Sequence, residues 1–253
     1  LTINVPPPTF QAAGAQVSGT GVVNPPWPAH AVGDVALLFV ESTGGQAATL
    51  SIPAGFAAVA NSPQATGAGV AGTRLTVFWA RATSTTMPTP RVADPGNHVY
   101  ARILTYRGVI ATGNPWDVTG GGVKPAASTS VTLTSVTTTV PNTLVVQAVS
   151  RDNDSAAAAF SAQTNAGLSA ITERSDAGTT SGNGGGFGVW DGLKATAGAT
   201  GATTATIAIS TVNAFLSIAL RPPDLTINVP PPTFQAAGAQ VYGTGVVNPP
   251  WPA

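Results

Sequence analysis

The sequence has no cysteine and few charged residues, and each shortage excludes a class of protein. Without cysteine the chain forms neither disulfides nor thiolate sites, and the redox compartment stays open. Only 8% of the 253 residues are charged, and ten basic side chains balance ten acidic ones. Such a surface has no basic footprint for nucleic acid or an anionic membrane, so we expect neither as a partner. It also resists self-association poorly, which suits a protein that assembles with itself.

Long apolar runs and helical periodicity are missing as well. No segment approaches the ~20 apolar residues of a membrane span, and the first residues do not have the pattern of a signal peptide, so we expect none. No long segment keeps an apolar period of 3.6 residues, and the alanine-rich stretch at 155–160 is long enough only for a short connection. Because the chain also lacks an initiator methionine, we expect it to be a mature fragment or a window from a longer protein.

The sequence does contain many short segments rich in β-branched and aromatic residues, separated by Gly, Pro, Asn and Ser. The strong strand candidates are 33–42, 74–83, 97–107, 142–151 and 213–221. Weaker candidates are 9–20, 48–60, 128–138, 167–176, 186–196 and 202–210. About ten to twelve strands without helical crossovers predict an all-β fold, an antiparallel β-sandwich with a jelly-roll-like order.

The candidate strand at 33–42 differs from its neighbours because its VALLFV core is apolar throughout. Strands with one solvated face alternate, whereas a strand covered on both faces does not. We therefore predict that 33–42 is a central strand. Its cover is the second sheet together with a long loop, or else an adjoining domain.

The first 29 residues recur near the end of the sequence. Residues 1–29 and 225–253 agree at 28 of 29 positions, and the one difference is Ser18 against Tyr242. The offset of 224 residues is far too long for a solenoid turn, so we predict a tandem or polymerised array of whole domains. Residues 1–224 are then one β-sandwich repeat with an N-terminal proline-rich linker strand. Residues 225–253 are the start of a second copy, with its linker strand and first strand.

Each copy opens with the pentapeptide LTINV, which lies next to prolines. The alternation of an extended strand places its apolar side chains on one side: Leu1, Ile3 and Val5 in the first copy, and Leu225, Ile227 and Val229 in the second. Proline favours extended backbone and cannot donate to a sheet, so we predict that the flanking prolines act as semi-rigid spacers. These are Pro222, Pro223, Pro230, Pro231 and Pro232.

LTINV allows two interpretations. It is the first strand of its own domain, or it pairs with an exposed edge or groove of a neighbouring domain, as in β-strand addition. Burying its apolar side chains contributes ~1.5–3 kcal/mol each, which is comparable to the cost of ordering the pentapeptide backbone. Covalent attachment raises the effective concentration to about the millimolar range, so even weak docking would persist.

Candidates for catalysis and metal binding are weak. His30 lies in a turn and His98 opens a strand, and neither lies near a nucleophile motif, so we interpret both as surface or strand-end residues. The close pair Asp152 and Asp154 holds a turn or begins a Ca²⁺ site, although the loop lacks the pattern of an EF-hand. The run GNGGGFG at 182–188 lacks the Lys-Ser/Thr of a phosphate loop and indicates a hairpin tip or a close backbone approach. We predict no enzyme, no cofactor and no metal.

Tryptophans raise the possibility of sugar binding, because an exposed indole stacks on a pyranose. Trp27 and Trp251 are equivalent positions in the two NPPWPA motifs, and Trp116 lies in NPWD. Each is predicted either to form a contact surface or ligand site, or to fold over the edge of its own domain.

The order of several segments resembles the β-rich domains of uncharacterised phage tail-associated and bacterial surface proteins. The resemblance covers most of residues 9–223 and is carried by GDVALLFVES, RLTVFWARAT, ARILTYRGV, GNPWDVTGGGVKPAASTSV, NTLVVQAVSRD, NGGGFGVWDGLKATAG and SIALRPP. It implies a structural domain outside the cell or on a virion, and it brings no catalytic residues.

These observations predict a structural subunit or repeat of an extracellular filament, pilus-like or fibrous, that assembles with itself through LTINV. The alternative is a phage tail or surface adhesin domain that binds carbohydrate, with glycans as partners.

Overall fold

The structure is a computed structural model that describes residues 5–43, 51–93, 96–224, 237–238 and 242–245. Its described part is all-β, and every strand pair is antiparallel. A 3₁₀ turn at Gly69–Ala71 is the one helical element in these ranges. The predicted all-β class with antiparallel sheets is therefore confirmed.

The first half of the chain forms one sheet. Its strands are Thr9–Ala13 (β1), Val17–Gly19 (β2), Val35–Thr43 (β3), Ala57–Ala58 (β4), Gln64–Thr66 (β5), Thr73–Arg81 (β6) and Val99–Arg107 (β7). They are ordered β1-β7-β3-β6-β4, with β2 following β1 along β7 and β5 beside β6. β3 therefore lies at the centre of the sheet.

The second half forms the other sheet and a small satellite. The strands are Trp116–Leu133 (β8), Thr137–Thr138 (β9), Thr143–Arg151 (β10), Phe160–Thr164 (β11), Ser169–Thr179 (β12), Gly185–Lys194 (β13), Gly198–Ala199 (β14) and Thr203–Leu220 (β15). The order is β11-β15-β10-β13-β12, with β8 paired along the other edge of β15. β9 and β14 pair only with each other.

The two sheets pack face to face over a shared apolar core, which makes the architecture sandwich-like. Alternate residues of β3, β6 and β7 meet alternate residues of β10, β13 and β15. Phe187 of the second sheet lies between Phe39 and Tyr100 of the first, with ring centroids 6.0 and 4.8 Å apart. Aromatic pairs at these distances add to the stabilisation from burial.

Each sheet also carries an apolar cluster on its outer face. On the first sheet the intervening residues of β3 and β7 are covered by Val17, Val23, Trp27 and Phe56. On the second sheet, Trp190 and Phe215 are covered by the end of β8, the start of β15 and the side chain of Phe160. All nine residues of β3 are buried, so the prediction of a central strand covered on both faces is confirmed.

All five strong strand candidates are strands in the structure. The predicted number of strands and the predicted strand order differ from the structure. The described residues form fifteen strands rather than ten to twelve, because several pairings of two or three residues join the long ones. The jelly-roll-like order is wrong for these residues. A jelly roll passes repeatedly between its sheets, whereas here β1–β7 form one sheet and the long strands after residue 115 form the other.

Candidate functional site

The first copy of the repeated segment forms an edge of the first sheet. β1 begins opposite Arg107 at the end of β7, and β2 ends opposite Val99 at its start. Between the two short strands, the Gly14 N–H donates to the Ile103 carbonyl at 2.8 Å. The segment thus follows β7 along its whole length, and we call the surface that it occupies the β7 groove: the free edge of β7 and the outer face of β7 and β3.

After β2 the segment folds over the outer face of the sheet. Val23 and Val92 exchange both backbone hydrogen bonds, at 3.0 and 2.9 Å. The ring of Trp27 then packs against Phe56, with centroids 5.7 Å apart. Val17, Val23 and Trp27 all contact the outer apolar cluster of β3 and β7, so the segment shields that face from water.

Polar side chains of β7 hold the segment in place. Arg102 Nε donates to the Gly14 carbonyl at 2.7 Å, and the Tyr100 hydroxyl donates to Gln16 Oε1 at 2.9 Å. The Thr105 hydroxyl lies 3.3 and 3.2 Å from two further carbonyls of the segment. These bonds satisfy backbone groups that the short strands leave unpaired, which fixes the register of the segment.

Phe10 connects the segment to the second sheet. Its ring meets Tyr106 edge-on at 5.8 Å, and the Arg174 guanidinium lies over its face, 4.5 Å from the centroid. Arg174 in turn makes a bidentate pair with Asp191, at 2.8 and 2.9 Å. The segment is therefore part of the interior of the domain and not an appended tail.

Of the predicted LTINV residues, the structure describes only Val5. It is half-buried, and its carbonyl accepts a hydrogen bond from Asn142 Nδ2 at 2.9 Å. Pro222 is buried and Pro223 is exposed. The other predicted assembly residues lie outside the described ranges: Leu1, Ile3, Leu225, Ile227, Val229, Pro230, Pro231 and Pro232.

The chain enters and leaves the domain at the same end. Val5 contacts Asn142, which directly precedes β10, while Leu220 pairs with Leu144 two residues further along. The Arg221 carbonyl accepts from the Ile110 N–H at 2.9 Å. Val5 and Arg221 therefore lie at the same end of the sandwich.

The predicted tryptophan sites are separate, and their rings contact the domain itself. Trp116 opens β8 and meets Trp79 edge-on at 5.8 Å beside the central core. Trp27 borders a depression of about 430 Å³ together with His30, Thr85, Thr86 and Met87. His30 Nδ1 donates to the Pro28 carbonyl at 2.7 Å. Trp251 lies outside the described residues.

A buried charged cluster lies between the sheets at the opposite end from Val5. Glu41 is fully buried, His98 Nε2 lies 2.9 Å from its Oε2, and Thr73 donates to its Oε1 at 2.8 Å. Burial raises the pKa of Glu41, and the hydrogen bonds and charge of His98, the Thr73 hydroxyl and the charge of Arg151 oppose that rise. His98 is at a strand end as predicted, but it is 1% exposed, so the surface interpretation is wrong.

Arg151 organises the loop that holds Asp152 and Asp154. Its guanidinium is fully buried and donates to the carbonyls of Asn153, Ser155 and Ala157 at 3.2, 3.1 and 2.7 Å. The loop thus wraps around an arginine, as a turn-forming loop would. Among the described residues, no group of three or more His, Cys, Asp or Glu is placed to hold a metal ion.

The glycine-rich run at 182–188 brings backbone close to this cluster, which confirms the predicted close approach. Gly182 has φ +59°, and a Cβ there would lie 2.4 Å from the Asn97 carbonyl oxygen. A Cβ on Gly185 would lie 2.3 Å from Glu41 Oε2. The buried carboxylate therefore requires glycine opposite it.

Sequence reasoning missed the Glu41–His98–Arg151 cluster. The available signal was a charged residue near the end of each of two otherwise apolar strands, VALLFVES and NTLVVQAVSR. A charge in a fully covered strand needs a partner, but the strand order that brings the two ends together is not visible in the sequence.

A second ion pair clamps the chain where the repeated segment ends. Arg107 Nε and Nη2 each donate to Asp34 at 2.8 Å, and the Ala31 N–H donates to the same carboxylate at 2.8 Å. Burial alone raises the pKa of Asp34, but the hydrogen bonds and charge of Arg107 and the Ala31 bond outweigh it and leave the pKa below its ordinary value of 3.8. The turn before β3 is therefore fixed independently of residues 9–29.

Comparison with protein-family models, curated proteins and solved structures found no match for this chain. The resemblance to phage tail-associated and bacterial surface proteins therefore stays a prediction. The described part of the chain holds no helix with the length and apolar character that a membrane crossing needs.

The close approach of Gly185 to Glu41 predicts that adding one methyl group at position 185 lowers the stability of the fold. Because His98 and Thr73 hold the carboxylate, Gly185→Ala should lower the free energy of unfolding by about 1–3 kcal/mol through overpacking. Urea unfolding measures this loss. Gly21→Ala is the control, because a Cβ at Gly21 meets nothing within 4 Å. Equal midpoints for the two variants would contradict the buried contact.

The Asp34 clamp predicts a specific acid sensitivity. A carboxyl whose pKa is lower in the folded chain adds stability that is fully present above its unfolded value, near 3.8, and is lost as the pH falls through the folded pKa. Wild type should therefore lose more stability than Asp34→Asn between about pH 6 and pH 3. Urea midpoints across this range test it, and Arg107→Gln should flatten the profile similarly. Parallel profiles for wild type and Asp34→Asn would exclude the clamp as the cause.

Proposed function

We propose that this chain is a structural unit of an extracellular filament, pilus-like or fibrous, on a cell surface or a virion, and that it assembles with copies of itself. The observation that carries the proposal is the repeated 29-residue segment. Its first copy supplies edge strands and outer cover to a complete sandwich-like domain. The same segment recurs 224 residues later, and in this proposal it begins another domain of the same kind.

The surface chemistry supports assembly over catalysis. The chain has zero net charge and few charged residues, so long-range repulsion between copies is weak. The fully buried charges Glu41 and Arg151 stabilise the interior and are closed to a substrate. These properties support the proposal that the domain packs against copies of itself.

Open strand edges supply places for a neighbour to dock. Among the described residues, the long strands β8 and β12 each pair on one side only. Most of β8 after Gly122 is exposed, which leaves backbone groups for strand addition. In this proposal LTINV of one copy adds to such an edge on the next, with Leu225, Ile227 and Val229 facing the neighbour. The contact is heterologous, so it does not close and it propagates.

The filament proposal predicts different effects for adjacent residues of LTINV. Ile227→Asp places a charge on the apolar face and should abolish assembly, whereas Thr226→Asp places it on the polar face and should leave assembly unchanged. Sedimentation over a concentration series and negative-stain micrographs of the full chain measure the outcome. Wild type should form filaments with an axial repeat of a few nanometres. Dispersed wild-type monomers at all concentrations would refute the function.

A second candidate function, carbohydrate binding by a phage tail or surface adhesin domain, is favoured by the depression beside Trp27. It has a volume of about 430 Å³ and is lined by an indole, an imidazole and several threonines. Trp27 Nε1 and His30 Nε2 have no hydrogen-bond partner among the described residues. These two atoms are buried, and together with the indole and the threonine hydroxyls they give the depression the mixed apolar and polar lining that recognises a sugar.

The carbohydrate function predicts loss of glycan binding on His30→Ala or Trp27→Phe, because each removes one of these polar atoms. Trp116→Phe is the control, since Trp116 lies at a different place in the fold and packs against Trp79. Binding of the full chain to a glycan array measures the effect. Absence of binding by wild type, or equal loss in the control, would exclude this site.

A further inference from the structure

The β7 groove is filled by residues 9–29, yet the chain carries a second segment with the same sequence. We propose that the β7 groove is an exchangeable docking site whose alternative occupant is the second copy, residues 233–253 of the same chain. When the second copy occupies the groove, the first copy is displaced. The inference concerns how the domain is completed and does not depend on filament assembly.

Apart from position 18, the second copy keeps every residue that contacts the groove. Phe10, Val17 and Trp27 of the first copy correspond to Phe234, Val241 and Trp251. Gly14 and Gln16, which accept from Arg102 and Tyr100, correspond to Gly238 and Gln240. The apolar and polar contacts of the groove can therefore be remade in full.

The one difference falls where the groove tolerates it. Position 18 is the exposed middle residue of β2 and lies opposite Tyr100. Tyr242 would place an aromatic ring beside Tyr100, and directly opposed aromatic residues on neighbouring strands stabilise a sheet. In the structure Tyr242 is 83% exposed, so docking would cover part of its ring.

The second copy starts close to the entrance of the groove. The Arg221 carbonyl bonds to Ile110, and a Cβ on the nearby Gly108 would lie 3.7 Å from the Pro7 oxygen. Pro231, the equivalent of Pro7, follows Arg221 by ten residues, which span up to about 33 Å when extended. The linker is therefore long enough for the second copy to enter at the same point as the first. This geometry favours the same chain over a second chain as the source.

The turn at 31–34, where the first copy would swing away from β3, is held by contacts that do not involve residues 9–29. Residues 31–34 are held by the Asp34–Arg107 clamp and by two backbone bonds, from the Gly33 N–H to the Ala82 carbonyl and from the Ala82 N–H to the Asp34 carbonyl. Releasing residues 9–29 therefore leaves β3 and its turn in place. The exchange replaces one strand segment by an equivalent one and leaves both sheets otherwise unchanged.

The first test compares variants of the two copies in the full chain. Phe10→Asp alone should keep close to the wild-type urea midpoint, because the second copy replaces the first, and Phe234→Asp alone should change nothing. The double variant should lose roughly 1 M or more, since neither copy then fits the groove. Such coupling between residues in different copies has no explanation if only the first copy docks. If Phe10→Asp alone loses as much as the double variant, the proposal is overturned.

The second test traps the docked state and identifies its source. The chain has no native cysteine, so in the variant Ala101→Cys with Val241→Cys the one possible disulfide within a chain is the one expected from the pairing of Val17 with Ala101. In the Phe10→Asp background, a disulfide within one chain is expected under mild oxidation. A matched pair with Thr226→Cys in place of Val241→Cys should not form it. Disulfides only between chains would overturn the same-chain source, and no disulfide would overturn docking.

The experiments distinguish failure of the segment-exchange proposal from failure of the filament proposal. Within-chain disulfides in a protein that never forms filaments would leave exchange standing and remove assembly. Filaments formed by a protein that gives no disulfide would remove exchange and leave assembly through LTINV standing.

Discussion

The first sheet depends on residues 9–29, which cover the outer apolar face of β7 and β3 and shield it from water. β3 and β7 are apolar on both faces, and the second sheet covers only one of them. The other face would present valine, leucine and isoleucine side chains to water, at a cost of about 25 cal/mol for each Å² left exposed. The chain resolves this by wrapping its own first segment along the edge and over the face.

The second sheet meets the same requirement in a different way. Its outer cluster around Trp190 and Phe215 is covered by the end of β8 and the start of β15, two long strands that extend beyond the pairing with β10. This cover is continuous with the sheet and cannot be exchanged. The cover of the first sheet is a separate segment joined to β3 through the turn at 31–34, so it can be replaced without breaking a central strand.

The two ends of the sandwich have different roles. One end carries the entering and leaving chain, together with the Asp34–Arg107 clamp. At the other end, Glu41, His98 and Arg151 place polar groups from both sheets in the interior, and a buried pair that loses one partner is strongly destabilised. Segment exchange along β7 therefore leaves the buried contacts among Glu41, His98 and Thr73 in place.

Features that depend on a single segment can be predicted from this sequence, whereas features that depend on contacts between distant segments cannot. The strands at 33–42, 74–83 and 142–151 follow from local composition, and double cover of β3 follows from VALLFV, because both properties belong to single segments. The sheet order, the Glu41–Arg151 proximity and the wrapping of the first copy around β7 depend on contacts far apart in sequence. LTINV is the most regular part of the repeat, yet apart from the bond between Val5 and Asn142 the contacts that the structure describes lie in the residues that follow it.

The near-identity of the two copies goes beyond what packing in the groove requires. Thr20, Val22 and Asn24 are exposed in the first copy and are nevertheless unchanged in the second, as Thr244, Val246 and Asn248. Packing explains why Tyr is accepted at the exposed position 242, but it places no demand on the other exposed positions. Identity at buried and exposed positions alike makes the two copies nearly equal in free energy when they occupy the groove. Near-equality of two competing occupants is the condition under which a small perturbation of one copy, such as a single charge at Phe10, transfers the groove to the other.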